Sequence, residues 1–342
     1  AEKSTAQVAQ ALLRDGVVIL DDVLPAAVVD RLSEKLQPHF DTSQSGGDAF
    51  MDAATSTVTA FWGIHPEFSE QLLLNQRILE LADAVLLPEN PMAASTVRPA
   101  KASYAARLAD PGDGCLQIVS EGTWDPARGP NCHHYRLVAG DSIRLHRGCK
   151  DQPLHRDQGV WEPYVPNDPS TPQHEIMFNL AAINFTEANG ATRFVPGSHL
   201  MGDPICELAR RPAVEVPAKA GDVIVHDMMV AHSSEPMEGN ALRRVIYLEF
   251  LSVELALGES IYTREEIDNR RRLLFAARRY RRETVPGGNC FKPRQRDPSP
   301  RDRKRPVREV LADIYARSVQ PRPANYCFER IPARLDGAAS NE

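Results

Sequence analysis

The sequence contains few cysteines, six in 342 residues, and no two of them form a Cys-x-x-Cys pair. Their spacing also lacks the density of the disulfide scaffolds found in small secreted proteins, which excludes that class. We therefore expect reduced thiols and a cytoplasmic protein. The six positions are Cys115, Cys132, Cys149, Cys206, Cys290 and Cys327.

Long hydrophobic runs are missing as well. No apolar stretch approaches the length of about 20 residues that a membrane-spanning helix needs, so we expect no membrane partner. The segment Ala1 to Leu13 lacks the charged start, apolar centre and small-residue cleavage site of a secretory signal. A targeting segment ahead of Ala1 stays an open alternative.

An overall positive charge is absent too, since the formal net charge is −6. General binding of nucleic acid needs a clustered positive surface, so we expect no nucleic-acid partner. Arginine runs near the C-terminus leave open a local patch for nucleic acid or an acidic partner, but a solvated or salt-bridged surface is the expected interpretation. These runs comprise Arg270, Arg271, Arg272, Arg278, Arg279, Arg281, Arg282, Arg301, Arg303, Lys304 and Arg305.

Hydrophobic residues make up 42% and charged residues 25% of the chain, as in globular proteins that bury a sizeable core. Between Tyr135 and Leu251 short β-like runs alternate with turn signals such as Asn189-Gly190, without βαβ alternation. This pattern predicts an all-β core with flanking helices, arranged as a sandwich or jelly roll. The runs are Tyr135–Leu137, Ser142–Leu145, Ile176–Ile183, Thr192–Val195, Val214–Val216, Asp222–Val225 and Val245–Leu251.

Helices are predicted mainly ahead of this β region. Apolar spacing favours a helix over Thr5 to Arg14, followed by a strand at Val17 to Leu20. A second helix follows Pro25 and is expected to end before Pro38, because proline disfavours helical geometry in the residue before it. A third helix is expected from Phe68 to Leu87.

We expect two regions along the chain. Residues 1–252 form the β domain with its N-terminal helices. Residues 253–342 form an Arg- and Pro-rich extension that is partly helical and packs on the core or at a subunit interface.

The segment Gln152-Pro153-Leu154-His155-Arg156-Asp157 contains a His-x-Asp pair. In an extended strand, residues two apart point to the same face, so His155 and Asp157 can converge on one ion. His232, after a later strand, is the best candidate for a third ligand. Two histidines and one carboxylate suit a non-haem Fe(II) site with open positions.

Arg243 lies on the strand that follows His232, where a guanidinium can bind a carboxylate through two hydrogen bonds. Arg244 would take its place if the strand register shifted by one residue. His199 is interpreted as a structural turn residue, because the set of three ligands is already complete. His226 would share the face of His232 in an unbroken strand, but a bend at Asp227 to Val230 is expected, so it is interpreted as structural too.

These residues, with Pro196-Gly197-Ser198-His199, resemble the phytanoyl-CoA dioxygenase (PhyH) family of Fe(II)/2-oxoglutarate oxygenases. The similarity runs from Asp15 to Arg243 and is greatest to the secondary-metabolite branch, which works on meroterpenoids and alkaloids. It implies a double-stranded β-helix, with His155, Asp157 and His232 on the iron and Arg243 on the far carboxylate of 2-oxoglutarate. Gln152 and Thr192 are then expected to touch the co-substrate.

The resemblance implies a dioxygenase that uses Fe(II), 2-oxoglutarate and O2 to oxidise an unactivated C–H bond of a mostly apolar small molecule. Hydroxylation, desaturation and oxidative rearrangement stay open, and the family suggests a homodimer. A zinc hydrolase with the same ligands, or an inactive jelly-roll subunit of a heterodimer, are the alternatives. Substrate contacts are expected from Phe50, Met51, Trp62, Trp161, Tyr164 and Phe178, although several of these could be core residues.

Overall fold

A computed structural model describes the following parts of the chain: residues 3–43, 46, 53–59, 61, 64–73, 75–86, 99–101, 104–110, 115–120, 123–124, 135–157, 173, 175–237, 242–252, 302, 305–306 and 309–310. The first element is helix α1, Thr5–Asp15. A capping box between Ser4 and Gln7 begins the helix, and Gly16 ends it with φ 79°, its N–H donating to the carbonyl of Leu12. Strand β1, Val17–Leu20, follows directly, so the predicted helix-then-strand order is confirmed.

Helix α2, Ala26–Thr42, extends past the position where the sequence predicted its end. Pro38 lies inside the helix, and the prediction that the helix would stop before it is wrong. Leu36 and Phe40 are both fully buried on either side of Pro38. Burial of these two side chains offsets the missing N–H hydrogen bond and the clash of the proline ring with the carbonyl one turn earlier.

The third predicted helix is also corrected, because it is divided. A short helix α3, Pro66–Phe68, continues as a π-helical turn over Ser69–Leu73, and α4 then spans Gln76–Leu86. Asn75 separates them: its side-chain oxygen accepts hydrogen bonds from the backbone N–H groups of Arg77 and Ile78, which caps α4.

The large sheet has six antiparallel strands in the order β1-β12-β9-β14-β7-β2. Helices α1, α2 and α4 cover one of its faces, and apolar side chains from both layers form the main hydrophobic core. Besides β1, its strands are β2 (Thr55–Thr59), β7 (Tyr135–Leu145), β9 (Glu175–Ala181), β12 (Val223–Asp227) and β14 (Arg243–Ser252).

The small sheet has the order β11-β10-β13-β8. From β7 onward the chain alternates between the two sheets, entering the small sheet with β8, with the pair β10 and β11, and with β13. Four strands of the large sheet (β7, β9, β12 and β14) and the four strands of the small sheet, connected in this way, form a jelly roll, so the predicted double-stranded β-helix fold is confirmed. The strands are β8 (Gln152–His155), β10 (Thr192–Phe194), β11 (Val214–Glu215) and β13 (His232–Ser234).

Four further strands form two separate ribbons, β3 with β6 and β4 with β5. They are β3 (Pro99–Lys101), β4 (Tyr104–Asp110), β5 (Cys115–Ser120) and β6 (Thr123–Trp124). All seven predicted β runs coincide with observed strands, but the runs at Tyr135 and Ser142 belong to one continuous strand.

Little of the C-terminal extension falls within the described residues. Val310 is 1% exposed and belongs to the main core, while Arg305 forms an ion pair of 3.3 Å with the buried carboxylate of Asp302. The boundary near residue 252 stays a prediction. Among the helices that the structure describes, none is both long and apolar enough to cross a bilayer.

Candidate active site

Two adjacent strands of the small sheet place His155 and His232 opposite one another. Antiparallel pairing of β8 with β13 aligns the two residues directly, and their ring centroids lie 4.3 Å apart. Both residues are less than 10% exposed. The histidines that the sequence singled out are therefore brought together by strand register.

Asp157 completes a three-residue cluster, although it lies beyond the end of β8 rather than on the extended strand expected from the sequence. One carboxylate oxygen is 3.2 Å from Nε2 of His155 and the other is 3.4 Å from Nε2 of His232. Burial alone would raise the pKa of Asp157, but the electrostatic interaction with the His232 imidazole and the hydrogen bond with His155 lower it far below its usual range. The group is thus a carboxylate at neutral pH.

Backbone carbonyls fix the orientation of both imidazoles. Nδ1 of His155 lies 2.7 Å from the carbonyl oxygen of Pro153, and Nδ1 of His232 lies 3.1 Å from that of Val230. Nδ1–H donation to these carbonyls leaves the Nε2 lone pairs directed at Asp157. Burial lowers the pKa of His232 to about 3, so this ring is neutral and able to bind a cation.

The potential ligand atoms of His155, Asp157 and His232 all lie within 4.8 Å of one another. Two neutral imidazole nitrogens and one carboxylate oxygen form the donor set that non-haem Fe(II) accepts on one face of an octahedron. The residues present therefore fit the metal that the sequence suggested.

Arg243 begins strand β14 and is 6% exposed. Its Nη1 has no hydrogen-bond partner among the described residues, and its guanidinium lies 5.9 Å from the Phe185 ring. Burial lowers the pKa of Arg243 to about 10, which leaves it charged at neutral pH. A buried cation with a free donor is suited to an anionic ligand.

Arg244, the alternative to Arg243, faces the other side of the sheet. Its guanidinium donates to Gln37 and to the carbonyl of Ser33, and it lies 5.3 Å from the Phe40 ring, all three on α2. Arg243 instead contacts Phe185, which packs in one apolar cluster with Phe194. Since Phe194 stacks on His232 with ring centroids 5.5 Å apart, Arg243 shares the inner side of the jelly roll with the histidines.

Gln152 and Thr192 flank the same residue of β13. Ser234 pairs with Thr192 on one side and with Gln152 on the other, and its hydroxyl accepts a hydrogen bond from the Gln152 N–H. Because residues two apart in a strand share a face, Ser234 lies on the face of His232. The sequence analysis did not single out Ser234 or Phe194, yet this period of two was a signal that could have found both.

Phe178 is fully buried in the core between the large sheet and the helices, with its ring 5.7 Å from that of Phe250. This position favours the alternative left open for it, a core residue, over a substrate contact. The other expected substrate residues, Phe50, Met51, Trp62, Trp161 and Tyr164, lie outside the described residues.

His199 and His226 both take structural positions. Nε2 of His199 lies 3.0 Å from the carbonyl oxygen of Leu13 at the end of α1. The His226 ring lies near the cluster, 5.0 Å from the ring of His232. Its Nδ1 is 3.1 Å from the Asp227 carbonyl oxygen, and it is not one of the three clustered potential ligands.

A family profile described as phytanoyl-CoA dioxygenase (PhyH) matches residues 143–245. Dioxygenase ALT11 of Alternaria alternata is 26% identical, over 72% of this chain and 71% of that protein. The Fe(II)/2-oxoglutarate-dependent dioxygenase nvfF of Aspergillus novofumigatus is 30% identical over 65% of this chain, which spans 63% of that relative.

Among solved structures, the non-haem α-ketoglutarate-dependent epimerase SnoN from nogalamycin biosynthesis is 20% identical, with a TM-score of 0.49, over 72% of this chain and 82% of that one. The matched range of the family profile contains His155, Asp157, His232 and Arg243. Residues 143–245 therefore match the phytanoyl-CoA dioxygenase family model, and the chain is a non-haem iron, 2-oxoglutarate-dependent dioxygenase.

Proposed function

We propose that this dioxygenase oxidises an unactivated C–H bond of a mostly apolar small molecule in secondary metabolism, by hydroxylation, desaturation or oxidative rearrangement. One observation carries the proposal. A cluster of two histidines and a carboxylate lies on the inner side of the jelly roll, together with a buried guanidinium that has a free donor among the described residues.

In this proposal His155, Asp157 and His232 hold Fe(II). Neutral histidines contribute no charge repulsion, and the single carboxylate offsets part of the metal charge. The carbonyls of Pro153 and Val230 keep both Nε2 atoms directed at one point. Three ligands on one side leave the remaining coordination positions for the co-substrate and O2.

Arg243 is proposed to bind the distal carboxylate of 2-oxoglutarate. Its Nη1 donor is buried, so it gains a partner when the dicarboxylate binds and the charge is then compensated. Gln152 and Thr192 are proposed to contact the same molecule. Both residues pair with Ser234, which lies two residues after His232 on β13. This position supports a co-substrate site between the metal and Arg243.

The protein residues contribute position, charge and exclusion of water. When bound, iron, 2-oxoglutarate and O2 together would supply the oxidant that removes a hydrogen atom from carbon, with 2-oxoglutarate and O2 converted to succinate and CO2. Phe194 stacks against His232 and limits water around the ligand rings. Asp157 fills the third ligand position, whereas a halogenase of this type would need a small residue there to admit chloride.

The substrate is proposed to be mostly apolar, with Phe50, Met51, Trp62, Trp161 and Tyr164 as candidate wall residues in the sequence. The curated relatives of this chain include several fungal dioxygenases, among them those of Alternaria alternata and Aspergillus novofumigatus, which supports a place in secondary metabolism. An assembly of two subunits stays a prediction.

Anaerobic titration of 2-oxoglutarate into the Fe(II)-loaded protein tests the site. We expect a weak visible metal-to-ligand charge-transfer band in the wild type, no band in His155→Ala, and a band that needs much more co-substrate in Arg243→Ala. His65→Ala removes an exposed imidazole outside the cluster and serves as the matched control, with a wild-type band.

Absence of the band from folded, metal-loaded wild type would contradict the proposal. Hydrolytic activity with bound zinc would then favour the zinc hydrolase alternative. That alternative does not explain why a charged Arg243 is buried. Failure to bind either Fe(II) or 2-oxoglutarate would favour the inactive partner subunit.

A further inference from the structure

Arg156 lies between two of the proposed iron ligands, His155 and Asp157, and its side chain makes a distinct set of contacts. The guanidinium donates four hydrogen bonds to backbone carbonyls. Nε donates to Met229 at 2.9 Å, Nη1 to Asp203 at 3.2 Å, and Nη2 to both Ser198 and Met201 at 3.0 Å. The planar fork of arginine is suited to contacting several fixed acceptors at once.

The acceptors belong to two segments of the chain. Ser198, Met201 and Asp203 lie in the connection between β10 and the short helix α5, Ile205–Leu208. Met229 lies in the turn between β12 and β13, three residues before His232. Arg156 therefore connects the strand that carries two ligands with the turn that leads to the third.

The β12–β13 turn is internally braced, so a contact at Met229 is transmitted to His232. Met229 N–H donates to the Asp227 carboxylate at 2.7 Å, and Val230 N–H donates to the Asp227 carbonyl at 3.1 Å. Ala231 N–H donates to the hydroxyl of Ser198 at 2.8 Å. The Val230 carbonyl of the same turn orients the His232 ring.

Strand pairing alone constrains this region weakly. Strand β13 is three residues long, and its register with β8 is irregular between His232 and Ser234. The separation of His155 from His232 thus depends on contacts outside the β8–β13 ladder. Arg156 supplies such contacts from a position covalently bonded to two ligands.

We propose that Arg156 is a positioning residue that sets the geometry of the His155, Asp157 and His232 cluster by tying β8 to the β12–β13 turn. The inference rests on the proposed metal-binding role of that cluster. Residues outside the ligand set that orient metal ligands change metal affinity by about 10- to 100-fold when they are replaced.

The test compares wild type, Arg156→Lys and the control Arg211→Lys. Lysine keeps the positive charge, but its single ammonium cannot span the Met229 and Ser198–Asp203 carbonyls. Arg211 donates to the Asp203 carboxylate at 2.9 Å and, among the described residues, forms no hydrogen bond with the β12–β13 turn. Arg211→Lys therefore alters an arginine contact with the β10–α5 connection and leaves the turn untouched. Two readouts are recorded: Co(II) titration with its visible d–d spectrum, and amide hydrogen exchange of residues 227–234 in the metal-free protein.

For Arg156→Lys we expect a Co(II) Kd raised about 10- to 100-fold, an altered d–d spectrum and faster exchange at residues 227–234, with unchanged exchange in β7 and β14. Arg211→Lys should match the wild type. An Arg156→Lys protein with wild-type Co(II) affinity, spectrum and exchange would overturn the inference.

The two readouts separate this inference from the proposed function. If the wild type binds no Co(II) but Arg156→Lys accelerates exchange, the metal site is wrong and the link between strand and turn stands. If Arg156→Lys does not fold, Arg156→Gln decides, because its single shorter amide cannot reach all four carbonyls, and the variant should raise the Co(II) Kd in the same direction. Wild-type Co(II) affinity in Arg156→Gln would then overturn the inference.

Discussion

His155 and His232 are paired directly across neighbouring antiparallel strands, with ring centroids 4.3 Å apart. The ladder between β8 and β13 therefore brings together two imidazoles that are distant in sequence. The sheet places two of the three clustered ligands, whereas Asp157 lies just beyond the end of β8.

Arg243→Met should affect binding and stability in opposite directions. Loss of the guanidinium should raise the Kd for 2-oxoglutarate about 100-fold, since a charged hydrogen-bonded pair is lost. The metal-free protein should become more stable, by up to about 3 kcal/mol, because burial lowers the pKa of Arg243 from the usual range of arginine to about 10. Arg243 is protonated at pH 7 in both the folded and the unfolded state, so burial of its charge destabilises only the folded state. This penalty shrinks as pH rises above 10, where the folded protein releases the proton before the unfolded chain does.

Calorimetric titration with 2-oxoglutarate and urea unfolding measure the two effects of Arg243→Met. Arg244→Met is the matched control, because Arg244 bonds Gln37 and the Ser33 carbonyl on α2. It should lower stability and leave co-substrate affinity unchanged. If Arg244→Met weakened 2-oxoglutarate binding and Arg243→Met did not, the carboxylate anchor would be Arg244 and the assignment to Arg243 would be wrong.

Acid should destabilise the metal-free protein through His232. Burial lowers the pKa of this histidine to about 3, whereas the unfolded state titrates near 6.5. Below pH 6.5 the unfolded state binds the additional proton, so stability is fully present above pH 6.5 and is lost as pH falls toward 3. One such group contributes a slope of up to about 1.4 kcal/mol per pH unit.

Urea unfolding of metal-free wild type and His232→Gln between pH 7 and pH 4.5 measures this contribution. The variant should show a shallower loss of stability, while His226, whose pKa burial also lowers, continues to titrate in both proteins. Equal slopes in the two proteins would show that His232 does not carry the effect.

Gly16→Ala should destabilise the junction between α1 and β1. Gly16 has φ +79°, and an added Cβ would lie 2.6 Å from Nδ1 of His199 and 2.9 Å from Cγ2 of Val230. Left-handed strain and overpacking together should lower the free energy of unfolding by about 2–4 kcal/mol. Gly148→Ala isolates the backbone contribution.

Gly148 has φ +85° with nothing within 4 Å of the added Cβ, so we expect a loss of about 1 kcal/mol there. The midpoint of urea denaturation gives both values. Equal losses at the two glycines would show that the contact with His199 is not tight.

Pro38→Ala should stabilise the protein. Alanine restores a helical N–H and removes the ring from the interior of α2, worth about 1–3 kcal/mol. Glu34→Ala, at an exposed position one turn earlier, should change stability by less than about 0.5 kcal/mol. A destabilised Pro38→Ala, measured by urea unfolding, would indicate that the proline ring packs favourably at this position.

Much of the fold was predictable because its signals are local. Alternating short strands and turn residues predicted the β core, and the His-x-Asp spacing predicted two members of the cluster. The sequence left open whether Arg243 or Arg244 faces the inner side, because this depends on the strand register of β14. The pairing of β14 with β7 and β9 gives that register.

Other features depend on distant contacts that local patterns do not contain. Helix α2 continues through Pro38 because Phe40 is buried beneath the guanidinium groups of Arg144 and Arg244, 4.7 and 5.3 Å from its ring. The contacts of Arg156 were missed for the same reason, since its four acceptors lie in segments more than 40 residues away.

Pairing of β1 with β12 joins Val17 near the N-terminus to His226 late in the chain. During synthesis, β1 leaves the ribosome long before β12 has been made. The backbone hydrogen-bonding groups of β1 therefore stay unpaired while most of the chain is synthesised. Non-local pairing of this kind slows folding and exposes strand edges to other chains. The large sheet therefore cannot be completed before β12 and β14 have been synthesised, and the yield of folded protein in a cell should depend on protection of the N-terminal segment during translation.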